Sequence, residues 1–378
     1  MVPPGEVPSI ATKSGTSATQ ASQPGPRGES ATTESAAERS APTKRHTPRW
    51  LLAVLVPVMA IFTVCLVNAL AWIGRPFPGF LIAQNGIVVS IGRAAWIHAR
   101  NHNVSFARIL AVDGRPVAGG RDVHAYVTAA SIGKPIVYTF RNGTEIFRLP
   151  VRVRLFAAAD FAELFVPLLG VGLLMVLVSA AVVVRRPGAP EARALFVLCL
   201  AIGLTLITAP DQYHPYRFTS LYFMATCMAP PAFVQLGLTY PQRSTLLERG
   251  PLAYAVLYLP FVALGAGLLA SLPEPSRFLP LLYTLYFFVA NAALLCMGAL
   301  VLGLIDGVRP REPVLLCLVG MLGSCLIAGS ILATYPLLPW PISPLWFLGP
   351  LLIFPVCEGA AFLRYPAPAV PATEGVAP

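Results

Sequence analysis

The side chains able to carry chemistry are few in this sequence and stand far apart. All seven cysteines, Cys65, Cys199, Cys227, Cys296, Cys317, Cys325 and Cys357, fall within apolar stretches, and no CxxC or Cys/His pair is present. That spacing offers neither a zinc site nor a redox dithiol, and it fits small apolar packing residues. Gln235, Asn291 and Glu358 are the polar residues singled out inside the seven later apolar runs. An ionisable group in lipid is a functional candidate by default. Glu358, however, stands about one and a half helical turns before Arg364, which predicts an interfacial ion pair. There is no HExxH for a metalloprotease. The stretch Gly320-Met321-Leu322-Gly323-Ser324-Cys325 lacks the flanking glycine and partner histidine of an intramembrane serine protease, and no histidine sits inside a span to ligate haem. The expectation is a chain that is not an enzyme, with no catalytic residue, no metal and no cofactor.

The elements that hold these residues are set by hydropathy. Over 378 residues only 12% are charged, and a mean hydropathy of +0.69 belongs to the membrane class. Several stretches reach the roughly 20 apolar residues that a helix needs to cross the hydrocarbon layer. The fold class expected is a mainly α membrane protein with about eight transmembrane helices. The first covers residues 50–73. A seven-helix domain covers 162–363, its spans near 162–184, 194–208, 219–240, 252–272, 281–305, 314–335 and 345–363. Residues 1–49 are rich in Ser, Thr, Ala, Gly and Pro, the composition of a disordered cytoplasmic segment, and 364–378 reads as a disordered cytoplasmic tail. Lys44, Arg45 and Arg49 precede the first span, making it a retained signal anchor. Arg185, Arg186, Arg193, Arg243, Arg249, Arg309, Arg311 and Arg364 fall in alternate connections, against Arg217 and Arg277 in the others. By the positive-inside rule both termini are cytoplasmic and the chain is a multi-pass protein of the cell inner membrane.

Residues 74–156 follow a different grammar. Asn85-Gly86 and Asn142-Gly143 lie between apolar runs and predict hairpins, and Asp113-Gly114 is a third turn signal. Val123, Tyr126 and Val127 recur at helical spacing, predicting one short amphipathic helix over 121–131. The segment is basic. Arg75, Arg93, Arg100, Arg108, Arg115, Arg121, Lys134, Arg141, Arg148, Arg152 and Arg154 stand against Asp113, Asp122 and Glu145, and most of the net charge of +10 resides here. Next to a membrane, such an excess favours anionic headgroups, anionic envelope polymers or carboxylate-bearing peptides. Nucleic acid is excluded as a partner by the outward placement.

The run Ala107-Arg108-Ile109-Leu110-Ala111-Val112-Asp113-Gly114-Arg115-Pro116-Val117, the helix, and Gly133-Lys134-Pro135-Ile136-Val137-Tyr138-Thr139-Phe140-Arg141-Asn142-Gly143 together resemble a bacterial PDZ-like domain. The usual Gly-Asp before the first of these strands is Phe106-Ala107 here. The resemblance implies a small α+β extracytoplasmic domain between the first and second membrane helices. It also implies a groove that takes a peptide or a protein C-terminus as an added strand, lined by Ile87, Val88 and Val89 on the strand and His124 and Val127 on the helix.

A signal anchor, such a domain and seven spans, with Thr239-Tyr240-Pro241-Gln242-Arg243 closing the third of the seven, resemble the N-terminal sensory half of bacterial membrane histidine kinases and cyclases. The output half is expected to be absent, since the sequence runs into a Pro/Ala-rich stretch after Arg364-Tyr365-Pro366. The resemblance implies a sensory, receptor-like protein in contact with membrane lipids that relays to a separate cytoplasmic kinase or regulator. The alternative reading is an accessory or scaffolding subunit for transport or envelope assembly.

Overall fold

The computed structural model describes residues 49–364, apart from 90, 94–95, 97–103, 242–243, 245, 248–249, 308–309 and 335–344. Of the segments expected to be disordered, 1–49 and 364–378, residues 1–48 and 365–378 lie outside the described residues, as do Arg100, Gln242, Arg243, Arg249 and Arg309, while Arg49 and Arg364 are helical. The chain is mainly helical. Helix α1 (Arg49–Leu70) leads into a small α+β region, after which come α3 (Ala158–Arg185), α4 (Pro190–Thr208), α5 (Thr219–Thr239), α6 (Pro251–Ser271), α7 (Pro275–Ile305) and α8 (Arg311–Thr334). Among the described residues six helices, α1 and α3 to α7, are long and apolar enough to cross a membrane. The span expected at 345–363 is broken at Leu352 into α9 (Leu345–Leu351) and α10 (Ile353–Arg364), and Pro355, four residues after Leu351, has no amide to carry the helix across. Proline removes a backbone donor and crowds the preceding turn, which ends a helix.

Contacts between glycines bring α3 and α4 together. A Cβ on Gly172 would lie 2.7 Å from the Gly203 carbonyl, and one on Gly203 would lie 2.7 Å from Val176. Leu195, Leu198 and Cys199 of α4 are buried in the cluster that also holds Cys296 of α7 and Cys317 of α8. The cysteines are thus packing residues, all of them free thiols.

The α+β region contains two small sheets. Strands β1 (Pro76–Phe77) and β6 (Arg154–Leu155) pair at its base. The larger sheet runs β3 (Arg115–Pro116), β2 (Arg108–Val112), β4 (Pro135–Asn142), β5 (Glu145–Arg152). Asp113 and Gly114 both have positive φ (47° and 81°), the geometry of the two-residue turn that joins β2 to β3. The second hairpin differs from expectation by one residue. Asn142 still pairs, with Glu145, so Gly143 and Thr144 make the turn. Asp113 does more than turn the chain: its Oδ1 accepts the Val137 amide at 2.7 Å and its Oδ2 the Tyr126 hydroxyl at 2.9 Å. Those bonds hold its carboxyl below the ordinary carboxylate range.

Helix α2 (Gly120–Ala129) buries Val123 and Val127 against Ile109, Val112, Ile136, Tyr138 and Phe140. On the other side of the sheet the register sets Arg108 opposite Arg141, Thr139 opposite Arg148 and Pro135 opposite Arg152. Opposed residues share a face, as do alternate residues along a strand. Arg108, Arg141, Arg148 and Arg152 therefore share one face, three of them exposed.

Candidate functional site

The region of interest is where the α+β region meets the helices. Residues 80–83 run antiparallel to 87–89, through a turn in which Gly86 has φ 78° and the Asn85 side chain accepts the Ile87 amide. The Ala83 amide donates to the Ile87 carbonyl and the Val89 amide to that of Leu81. On its other edge, the Val88 amide donates to Ala107 and the Val88 carbonyl accepts from Phe106. Strand 87–89 is thus paired on both sides.

This corrects the expected groove. Ile87 is buried with Phe223, Cys227, Leu268 and Phe278 of the helices, Val88 lies in the core of the α+β region, and Val89 packs toward the cluster around Trp72. None of the three offers a free edge. Val127, fully buried, is a core residue. The strand beside α2 is 80–84, where a Cβ on Gly119 would run into the Gln84 carbonyl and one on Gly120 would come within 2.6 Å of the Ala83 carbonyl. The Gly120 amide donates to the Gln84 carbonyl at 3.0 Å. Only glycine permits an approach this close.

Since Leu81 and Ala83 turn their backbone groups toward 87–89, Ile82 turns its own outward. Its carbonyl accepts the hydroxyl of Tyr216 at 3.0 Å. Tyr216 lies in the connection between α4 and α5, residues 209–218. It has a positive φ of 67°, a conformation that costs on the order of 1 kcal/mol for a residue with a side chain and persists only where its surroundings enforce it. Here the Tyr216 amide donates to the Asp211 carbonyl and the Phe218 amide to Asp211 Oδ2 at 2.6 Å. Burial pushes the Asp211 carboxyl up despite these donors. A Cβ on Gly120 would meet the Tyr216 hydroxyl, and the Arg121 guanidinium lies 6.0 Å from the centre of the Tyr216 ring.

His124 is brought into this junction and lies 8% exposed rather than solvated. Its ring is 5.1 Å from His214, 5.6 Å from Trp72 and 6.4 Å from Tyr216, centre to centre. Burial pushes His124 down to about 4, helped by His214 and opposed by a hydrogen bond with the Tyr213 backbone. His214 is also lowered, by burial first and then by Arg75, Arg121 and Arg217. Among the described residues His124 Nε2, His214 Nδ1 and Asp211 Oδ1 are buried without a hydrogen-bond partner, an arrangement that folded proteins rarely tolerate away from water or a ligand.

A second link ties the region to α3. Asp160, in the first turn of α3 and fully buried, accepts Arg93 at 2.7 Å, the Trp96 indole at 3.1 Å and the Ala157 amide at 2.8 Å, while Arg93 also reaches Glu163 at 2.5 Å. Trp72, after α1, touches Phe77, Phe156 and Phe165 edge-on or tilted. Motion of the α+β region relative to α1, α3 and the α4–α5 connection would break these contacts.

Among the described residues no three His, Cys, Asp or Glu side chains gather closely enough for a metal ion. What the arrangement offers is recognition: an outward-facing strand edge, a helix with a glycine start, and a tyrosine on that edge. Sequence reasoning missed Ile82, Gly119, Gly120, His214 and Tyr216. The signals were the paired glycines before the helix and a polar, aromatic decapeptide, Ala209 to Phe218, between two apolar helices. No protein family, curated protein or solved structure matches the chain.

Proposed function

We propose that this chain is a receptor-like membrane protein in which a PDZ-like module outside the cytoplasm takes an extended peptide along strand 80–84 beside α2, and in which the peptide acts by displacing Tyr216. The observation that carries this reading is the Tyr216 hydroxyl on the Ile82 carbonyl. An added strand pairs with outward-facing backbone groups of this kind, so ligand and Tyr216 compete for one acceptor. Because Tyr216 sits between α4 and α5, its release is felt directly by two apolar helices. The charge asymmetry of the connections supports cytoplasmic termini and an outward α+β region. A separate cytoplasmic partner reads the helices.

The test is peptide binding to the intact protein in nanodiscs, with a library of extended peptides bearing free C-termini. Removing an internal competitor strengthens binding, so Tyr216→Ala should bind the selected peptides several-fold more tightly than wild type. Equal affinity, or no binding by either, rejects the reading.

The basic sheet face of Arg108, Arg141, Arg148 and Arg152 favours a second reading, the accessory or scaffolding subunit, with an anionic envelope polymer or headgroup as the ligand. Binding to anionic vesicles that falls on replacing Arg141 and Arg148, with no peptide captured, would select it.

A further inference from the structure

Among the described residues the bundle contains one buried carboxyl that the junction does not use. Glu358 on α10 is 1% exposed, and neither of its oxygens has a hydrogen-bond partner among the described residues. The expected pairing with Arg364 is absent: that side chain is exposed at the end of α10. The titratable groups set against Glu358 include the Cys317 thiol of α8 and Tyr240 at the end of α5. The other titratable groups facing it are Cys199 of α4, Cys296 of α7 and Cys357 of α10 itself. No cation is among them. Contact here is close, since a Cβ on Gly320 of α8 would lie 2.7 Å from Cys357, and one on Gly359 of α10 would lie 2.7 Å from Val178 of α3.

A bare carboxylate so buried, with no cation among the described groups facing it, is costly to keep charged. The protonated acid costs far less and has a thiol to meet. We infer that Glu358 is a proton-binding site at the convergence of α3, α5, α8 and α10, and that loss of its proton separates α10 from α8. The ligand is the proton itself. The site is independent of the peptide groove, being on the helices and free of groove residues.

Two measurements on the intact protein in membranes test this. A hydrophobic carbodiimide adds to protonated carboxyls, the acid O–H adding across one C=N bond to give an O-acylisourea that rearranges to a stable N-acylurea. Near neutral pH it should modify Glu358, detected by peptide mass spectrometry, with modification falling at least tenfold as pH rises and falling to background in Glu358→Gln. The second reading is alkylation of Cys317 by a membrane-permeant maleimide. Thiol ionisation raises this rate with pH in any variant, so the quantity read is the ratio of wild type to Glu358→Gln. The ratio should rise about tenfold from neutral to alkaline pH as ionised Glu358 opens the α8–α10 contact. Glu358→Gln, which mimics the neutral acid, should fold and insert as well as wild type. An unmodified Glu358 at neutral pH, a constant ratio at Cys317, or a Glu358→Gln chain that fails to insert would each overturn the inference.

Discussion

Acidification should undock the α4–α5 connection from the α+β region, and the size of the effect follows from His124. Its ordinary value of 6.5 is pushed down to about 4 by burial, so the undocked state binds a proton more readily than the docked one. The docked state is therefore fully favoured above about 6.5 and loses ground as pH falls through that value toward 4. From about pH 7.5 to about pH 5 the loss is about 2 kcal/mol, or a factor of roughly 30 in the docked-to-undocked ratio. His214 shifts in the same direction, and Arg75, Arg121 and Arg217 add repulsion once either ring is charged. Asp211 and the Tyr213 carbonyl are the acceptors present to soften this. The assay is protease cleavage within residues 209–218 of the protein in detergent micelles, followed by mass spectrometry across that pH range. Wild type should become sensitive on acidification, and His124→Gln combined with His214→Gln should stay flat. A flat profile in wild type, or an unchanged slope in the double variant, would refute the reasoning.

Three further outcomes are expected. Asp160→Asn keeps the shape of the side chain but discards the charge that Arg93 meets at 2.7 Å; with Arg93 partly solvated and Glu163 still beside it, the loss should be about 1–3 kcal/mol, read as a lower denaturant midpoint in detergent. Gly120→Ala drives a Cβ to within 2.6 Å of the Ala83 carbonyl, so hydrogen exchange over 80–84 and over 213–218 should speed up together, whereas Gly114→Ala, with open space around its Cβ but an unfavourable φ, should perturb only the β2–β3 turn. Gly203→Val meets the α3 backbone at Gly172 and should cost more than 2 kcal/mol by overpacking, seen as reduced yield of inserted, detergent-stable protein.

Much of the architecture was legible because hydropathy and turn chemistry are local. Asp113-Gly114 announced a two-residue turn, and the 3.6-residue recurrence of Val123 and Val127 announced the buried face of α2. Six of the apolar runs became helices able to cross a membrane. The break between α9 and α10 was less visible, since Pro355 is one of several prolines in helices and those at Pro57, Pro167 and Pro260 leave theirs continuous. The site was harder to read because it is tertiary. Whether 80–84 or 87–89 flanks α2 depends on which strand pairs with β2, and nothing within either run states that. His124 was expected to line a peptide groove, and nothing near it in the sequence announced that His214 and Trp72, from distant parts of the chain, would close over it. Glu358 misled for a related reason: Arg364 near the end of the run suggested an interfacial ion pair, while the packing of α8 and α3 through Gly320 and Gly359 buried it instead.

The central claim is that Tyr216 occupies the outer edge of strand 80–84 in the resting protein and leaves it when ligand binds. Photo-crosslinking tests this directly, with a benzophenone amino acid placed at residue 216 of the intact protein in native membranes and the crosslinked peptides identified by mass spectrometry. The account predicts crosslinks within one chain to residues 82–84 and 119–124, which a bound peptide suppresses. Crosslinks confined to lipid or to other parts of the chain, or crosslinks to the strand that persist with ligand bound, would contradict it.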